Sequence, residues 1–220
     1  MRVAIMQPYF FPYAGYYRLF ASVDTFVVYD CVQFPRRGWV HRNRFTNGIG
    51  EDQWLTLPLE KGDRDTTHIC DLVFSKDAAN TMQEQMRRFP CFRDLTKKAP
   101  DLAALLLDFN ISPIEYLVRG LEWCTEHLGL QRPIIMSSSL NIPEGIRGQE
   151  RIIEIAIRVN AKHYINAPGG AGLYDASAFE DAGLTLRFLP DYVGSYRSML
   201  QRLLTEDSAT IVHEIQQNMS

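Results

Sequence analysis

Short apolar runs recur along the chain, separated by segments whose apolar residues fall at helical spacing. The run "RVAIM" (2–6) is stopped by Gln7-Pro8 and predicts a buried strand. "AGYYRLFASVD" (14–24) places Leu19, Phe20 and Val23 on one helical face. "TFVVYDCVQF" (25–34) is β-branched and aromatic, which predicts a second strand. Strand, loop, helix and strand in quick succession form a βαβ unit, and such a unit implies parallel pairing with a right-handed crossover.

The pattern continues. "QWLTLPL" (53–59) alternates like a half-buried strand, and "HICDLVF" (68–74) predicts another. Helices are expected over 76–89, 100–108 and 112–129, the last stopped at Gly129. "PIIMSSSL" (133–140) predicts a strand ending in hydroxyls, "GQERIIEIAIRVNA" (148–161) a helix, and "KHYINAP" (162–168) a strand. A short helix over 175–183 and a strand over 184–189 follow, then two short helices within 195–219. The expected fold is α/β: a mainly parallel sheet flanked by helices, one domain over 1–220 with a helical insert around 76–129. The insert helices offer a face for a homodimer.

Composition narrows the function classes. Apolar residues make up 46% of the 220 residues and charged residues 22%, enough for a packed core and against disorder. The net charge of −3 gives no global attraction to nucleic acid or acidic membranes. No stretch has the length of a membrane span, and the N-terminus lacks a signal-peptide run, so a cytoplasmic protein is expected. Cys31, Cys70, Cys91 and Cys124 form no CxxC pair, which argues for reduced thiols and against a metal site.

Two segments carry candidate chemistry. Between Tyr9 and Phe20 lie Tyr9, Phe10, Phe11, Tyr13, Tyr16, Tyr17 and Phe20, interrupted by Pro8, Pro12 and Gly15. In a parallel α/β sheet, ligands gather at the carboxyl ends of the strands, where this loop is expected. It reads either as core or as pocket wall; Gln7, Tyr13 and Tyr16 are the binding candidates, because their polar atoms need partners. The second segment, "DCVQFPRRGWVHRNRF" (30–45), should lie beside it. Arg36, Arg37, Arg42 and Arg44, with Gln33, Trp39 and Asn43, read as a site for phosphate or carboxylate, which guanidinium forks bind with paired hydrogen bonds. A solvated, ion-paired loop is the plainer reading, and nucleic acid a minor one.

Asp30, at a strand end, can be a general base, a metal ligand or an arginine partner. His41 is the other candidate base, and it stands available to Cys31 should that thiol be a nucleophile. Further on, "YINAPGGAGLYD" (164–175) runs from a strand into a glycine-rich turn. Asn166, Gly169, Gly170 and Tyr174 are candidates there, because such a turn can offer backbone N–H groups to an anion. The serines of 137–139 either cap a helix or touch the same ligand. Walker, Gly-x-Ser-x-Gly and His-Glu-x-x-His motifs are absent.

The segments "MQPYFFPYAGYYRLF", "DTFVVYDCVQF", "RRGWVHRNRF", "WLTLPL", "GQERIIEI" and "YINAPGGAGLYD", taken in order, resemble the WbqC-like proteins of bacteria. Members often accompany surface-polysaccharide genes, where modified deoxyamino sugars are made. The family usually shows a second aspartate at the position of Cys31 and asparagine at that of His41, so a catalytic role at either position would imply a changed substrate or activity. The Tyr13-Ala14-Gly15-Tyr16 spacing also resembles, weakly, the His-x-Gly-His loop of HIGH-type nucleotidyltransferases, though neutral tyrosines lack the imidazolium charge.

Together these readings suggest a small-molecule transferase that attaches an acyl or aminoacyl group to an amine, such as that of a nucleotide-linked amino sugar. Asp30 or His41 would remove the proton, and the arginines would hold a phosphate or carboxylate. The donor would be an activated acyl group on a carrier protein, on charged tRNA or made with ATP. An ATP-using ligase or nucleotidyltransferase, and a non-catalytic sugar-nucleotide binding protein, are the alternatives.

Overall fold

The computed structural model describes residues 1–63 and 66–219. Its strands are β1 (Arg2–Met6), β2 (Thr25–Val28), β3 (Arg42–Thr46), β4 (Asp52–Thr56), β5 (Ile134–Met136), β6 (His163–Asn166) and β7 (Thr185–Phe188). The helices are α1 (Ala14–Ser22), α2 (Ala78–Met86), α3 (Leu95–Lys98), α4 (Pro100–Leu106), α5 (Pro113–His127), α6 (Gly148–Arg158), α7 (Ala176–Asp181), α8 (Met199–Thr205) and α9 (Ser208–Gln217).

Five strands form one parallel sheet in the order β5-β2-β1-β6-β7. The sheet lies between two helical layers, which explains why its central strands are apolar at successive positions rather than at alternate ones. Ala4, Phe26 and Val28 point into a cluster shared with α1, α4, α5, α8 and α9. Val3, Ile5 and Val27 point the other way, into a cluster with Ile152, Ile155 and Ala156 of α6 and Phe179 of α7. Residues of α2, α4 and α5, in the stretch expected as an insert, belong to the same cluster as α1.

Local chemistry sets the helix ends. Ser112 caps α5, its hydroxyl accepting from the Glu115 N–H at 3.2 Å, and Pro113 fills the first helical position. Buried Arg18 of α1 donates to the carbonyls of Pro190 (2.9 Å) and Asn218 (2.6 Å), fastening the C-terminal segment to the sheet layer.

The chain moves from β1 outward through β2 to β5, then returns to the other side of β1 for β6 and β7. The direction of winding therefore reverses between β1 and β6, and a crevice at their carboxyl ends is the favoured ligand position of such sheets.

Three expectations need correction. The segment 30–45 contains a strand, β3, which pairs antiparallel with β4 in a ribbon separate from the main sheet. The second strand ends at Val28 rather than at residue 34. Residues 68–74 are not a strand: Ile69–Asp71 form a short 3-10 turn, bracketed by isolated bridges of His68 to Gln33 and Phe74 to Leu59.

Candidate functional site

At the carboxyl ends of β2 and β5 lies a network of polar side chains. Asp30 is completely buried. Its Oδ1 accepts from the Ser137 hydroxyl (2.7 Å) and the Ser138 N–H (2.8 Å), and its Oδ2 accepts from the Ser138 hydroxyl (2.6 Å). The Ser137 oxygen also accepts from the backbone N–H of Asp30 at 3.1 Å. A buried carboxylate is tolerated only when hydrogen-bonded, and two serines from the end of β5 meet that need. The Cys31 sulfur sits 3.0 Å from the Ser137 oxygen and accepts from Nε and an Nη of Arg151, at 3.3 and 3.2 Å. Arg151, in the first turn of α6, also donates to the carbonyls of Pro143 and Ile146. Burial pushes the neighbouring Tyr29 hydroxyl up to about 12, Cys31 and Tyr174 adding to the shift and Arg151 opposing it.

The turn Ile69–Asp71 contributes Cys70 to one cavity, and its flanking residues Thr67 and Leu72 line another. Its position is fixed by the Cys70 N–H donating to the Asp30 carbonyl and the Ile69 N–H to the Val32 carbonyl, both at 3.0 Å. A cavity of about 500 Å³ is lined by Asp30, Cys70, Met136 and Ser138, with Ile114 and Arg119 of α5 among its other walls. Ser138 is exposed there, whereas Ser137 is buried. The other cavity, about 300 Å³, is lined by Arg36, His41, Lys61, Thr67 and Leu72 among others. Burial, with Arg42 adding to it, pulls the His41 imidazole down to about 4, so it is neutral at pH 7. Its Nδ1 is buried without a hydrogen-bond partner among the described residues. The two candidate bases thus face different cavities.

The arginine segment divides in the same way. Arg36 donates to the Gly62 carbonyl beside the His41 cavity. Arg42 and Arg44 instead project from the ribbon, their guanidinium carbons 4.2 and 4.9 Å from the Trp54 ring centre. Arg42 donates to the carbonyls of Gly38 and Arg37, and Trp39 packs on Trp54 with ring centres 5.3 Å apart. Asn43 is buried beneath the ribbon, and Gln33 lies at the bridge to His68.

The aromatic loop does meet this segment, but through backbone. The Phe10 N–H donates to the Trp39 carbonyl at 2.9 Å, and Asn43 Nδ2 donates to the carbonyls of Phe10 and Phe11. Tyr13 turns elsewhere, stacking on Tyr196 with ring centres 4.9 Å apart and packing against Tyr192. The cavity beside Arg36 does not have Tyr13 among its walls. The two segments thus lie side by side as expected, but the Tyr13 ring joins a tyrosine cluster while Arg42 and Arg44 pack on Trp54 of the ribbon. A Cβ at Gly15 would fall on the Tyr13 ring and 2.9 Å from that of Tyr192, so this glycine makes room for rings. Tyr16 is buried and donates its hydroxyl to the Gln7 carbonyl at 2.8 Å. The HIGH-like spacing therefore holds packed tyrosines.

The glycine-rich turn follows β6. Asn166 is buried and accepts from the Ala167 N–H, and Gly170 lacks the Cβ that would collide with the Asn166 amide. Gly169 is exposed with open space where a Cβ would stand. Tyr174 packs edge-on against Tyr164 and Phe179. Ser137, Ser138 and Arg151 complete the Asp30 network. The serine turn signalled the first two, but nothing local in the sequence links Arg151 to Cys31. Among the described residues no group of three or more His, Cys, Asp and Glu is arranged to hold a metal ion, and no helix is long and apolar enough to cross a membrane.

Comparison with known proteins gives one relative and one family. The uncharacterized protein Rv1507c of Mycobacterium tuberculosis is 27% identical over 203 residues, covering 91% of this chain and 86% of that protein. No solved structure matches. The model of the WbqC-like protein family matches residues 7–202, a stretch that runs from the aromatic loop through Asp30 and the glycine-rich turn to α8. The chain belongs to the WbqC-like protein family.

Proposed function

We propose that the chain is a small-molecule transferase that attaches an acyl or aminoacyl group to an amine, such as that of a nucleotide-linked amino sugar. The observation that carries this reading is the pairing of buried Asp30 with exposed Ser138 at the mouth of a cavity of about 500 Å³. An ammonium must lose a proton before it attacks a carbonyl carbon. Asp30 is too buried to meet a substrate amine directly. Ser138 can accept that proton at its oxygen while passing its own to Asp30 Oδ2, 2.6 Å away. Asp30 is then the base and Ser138 its contact with substrate. Arg36 and Lys61, in the other cavity, are the groups there that could pair with a phosphate or carboxylate of the donor or acceptor, in competition with Glu60 and Asp63 of the same wall. His41, neutral at pH 7, lines the same cavity.

The test starts from a thermal-shift screen with ATP, nucleotide sugars, acyl-CoA and amino acids, because a bound ligand raises the melting point with the logarithm of its concentration. Transfer between the compounds that bind is then measured for wild type, Asp30→Asn and Ser138→Ala. Both variants should lose turnover by about a hundredfold or more while keeping the thermal shift. Wild-type turnover in Ser138→Ala would defeat the relay. A shift without turnover for any donor and acceptor pair would favour a binding protein.

A further inference from the structure

The ribbon β3–β4 has two unlike faces. Asn43, Phe45 and Leu55 point inward and are buried. Arg42, Arg44 and Trp54 share the opposite face, Arg44 lying directly across from Trp54 in the antiparallel register. Trp39 extends this face by packing against Trp54, the ring centres 5.3 Å apart and the planes tilted by 49°, and 42% of it is exposed. Arg88, just past the end of α2, borders this face at the free edge of β4, where it donates to the Trp54 carbonyl at 3.3 Å while its guanidinium lies over the Phe89 ring; exposed Arg87 precedes it. The result is a row of flat groups, guanidinium planes and two indoles, on one surface.

One carboxylate, Asp52, shares this face by register, but it accepts from the Thr46 hydroxyl and makes no ion pair with these arginines among the described residues. Arg42 and Arg88 are tied to carbonyl oxygens, which order the side chains without cancelling their charge. Among the described residues, the ion pairs join Arg2, His68, Arg119, Arg158 and Arg202 to carboxylates, and none involves Arg42, Arg44, Arg87 or Arg88. In a chain of net charge −3, this is a local excess of positive charge.

We propose that the outer face of the β3–β4 ribbon, with Trp39 and with Arg88 at its edge, is a docking surface for single-stranded nucleic acid. A small anion would need one guanidinium and no indole. An acidic protein segment would use the charges but has no flat rings at regular intervals to set against the indoles. Single-stranded nucleic acid presents both, phosphates for the arginines and bases for the partly exposed Trp39 indole. The inference is independent of the Asp30–Ser138 relay, and an aminoacyl group carried on RNA would bring the two together.

The experiment titrates the protein with short oligo(A) as RNA and as DNA, with inorganic polyphosphate and with poly-glutamate, at several salt concentrations. Binding is read by anisotropy of labelled oligonucleotide and by quenching of tryptophan fluorescence. The expected result is quenching by the oligonucleotides, with affinity falling as salt rises. Arg42→Ala and Arg44→Ala should each weaken binding and flatten the salt dependence by about one charge. Trp39→Ala should weaken binding roughly tenfold or more, with Trp39→Phe recovering much of it. Circular dichroism confirms that each variant is folded, and Ile49→Ala, an exposed site on the ribbon's own turn, serves as a control that should not change binding. Absence of oligonucleotide binding at low salt overturns the proposal. So does polyphosphate binding as tightly as oligo(A), which would make the rings irrelevant, or poly-glutamate binding more tightly than either, which would indicate a protein partner. A stronger response to RNA than to DNA identifies the source.

Discussion

Asn43 donates its side-chain amide to two successive carbonyls, those of Phe10 at 3.0 Å and Phe11 at 2.7 Å. Phe11 has φ 46°, a left-handed conformation that an aromatic residue adopts only when its surroundings impose it. Its carbonyl also accepts from the Ser198 hydroxyl at 2.9 Å, so one strained residue gathers β3, the first loop and the start of α8. Removing the amide in Asn43→Ala leaves buried acceptors underbonded, which costs about 2–3 kcal/mol. Urea unfolding measures this, and a loss under about 0.5 kcal/mol would contradict the role given to Asn43.

Gly15 allows the rings of Tyr13 and Tyr192 to close over α1. In Gly15→Ala the methyl group must displace aromatic rings in a packed cluster, at a cost of about 1–3 kcal/mol that exceeds the helix-propensity gain of alanine. Ala at Gly129, where φ is +64° but the space is open, should be destabilising for backbone reasons alone. Chemical denaturation of a Gly15→Ala, Tyr13→Ala double variant distinguishes the two mechanisms: removing the Tyr13 ring should recover part of the loss at Gly15.

Ser137 and Ser138 share one carboxylate but differ in burial. Ser137→Ala should destabilise by about 1–3 kcal/mol, because the buried Asp30 loses a donor and its own N–H loses an acceptor. Ser138→Ala, at the exposed site, should cost about 1 kcal/mol or less. Equal losses in thermal unfolding would mean that Ser138 is as deeply structural as Ser137, against its assignment to the cavity mouth.

His41 predicts a pH dependence. Its folded-state pKa, about 4, lies below the ordinary 6.5 because burial and Arg42 disfavour the charged ring. Between these values the unfolded chain binds a proton that the folded chain does not, so stability is full above about pH 6.5 and falls as pH drops toward 4. His41→Asn should flatten this part of the stability profile, and an NMR titration of wild type should show a ring that stays neutral at pH 5.5. A ring titrating near 6.5 would remove the effect.

Much of this could be read in the chain, for identifiable reasons. β1 and β2 announce themselves because strands covered on both faces are apolar at every position. β3 did not, because its exposed face alternates arginine with buried Asn43 and Phe45, and "RNRFT" reads as a charged loop when its partner strand is unknown. Residues 68–74 misled in the opposite direction: their apolar residues pack a 3-10 turn and its flanks into the core, and only the two ends bridge to other chain segments. Asp30 was legible as a strand-end carboxylate. Its depth, and the contact of Arg151 with Cys31 across 120 positions, are products of the crossover and have no local signature.

The turn Ile69–Asp71 has a thermodynamic consequence. Thr67 and Leu72 line one cavity and Cys70 the other, while the turn is pinned to the backbone at Asp30 and Val32. Two compounds occupying the two hollows would contact one short stretch of backbone, and any coupling it carries must change both affinities by the same factor in either order of addition.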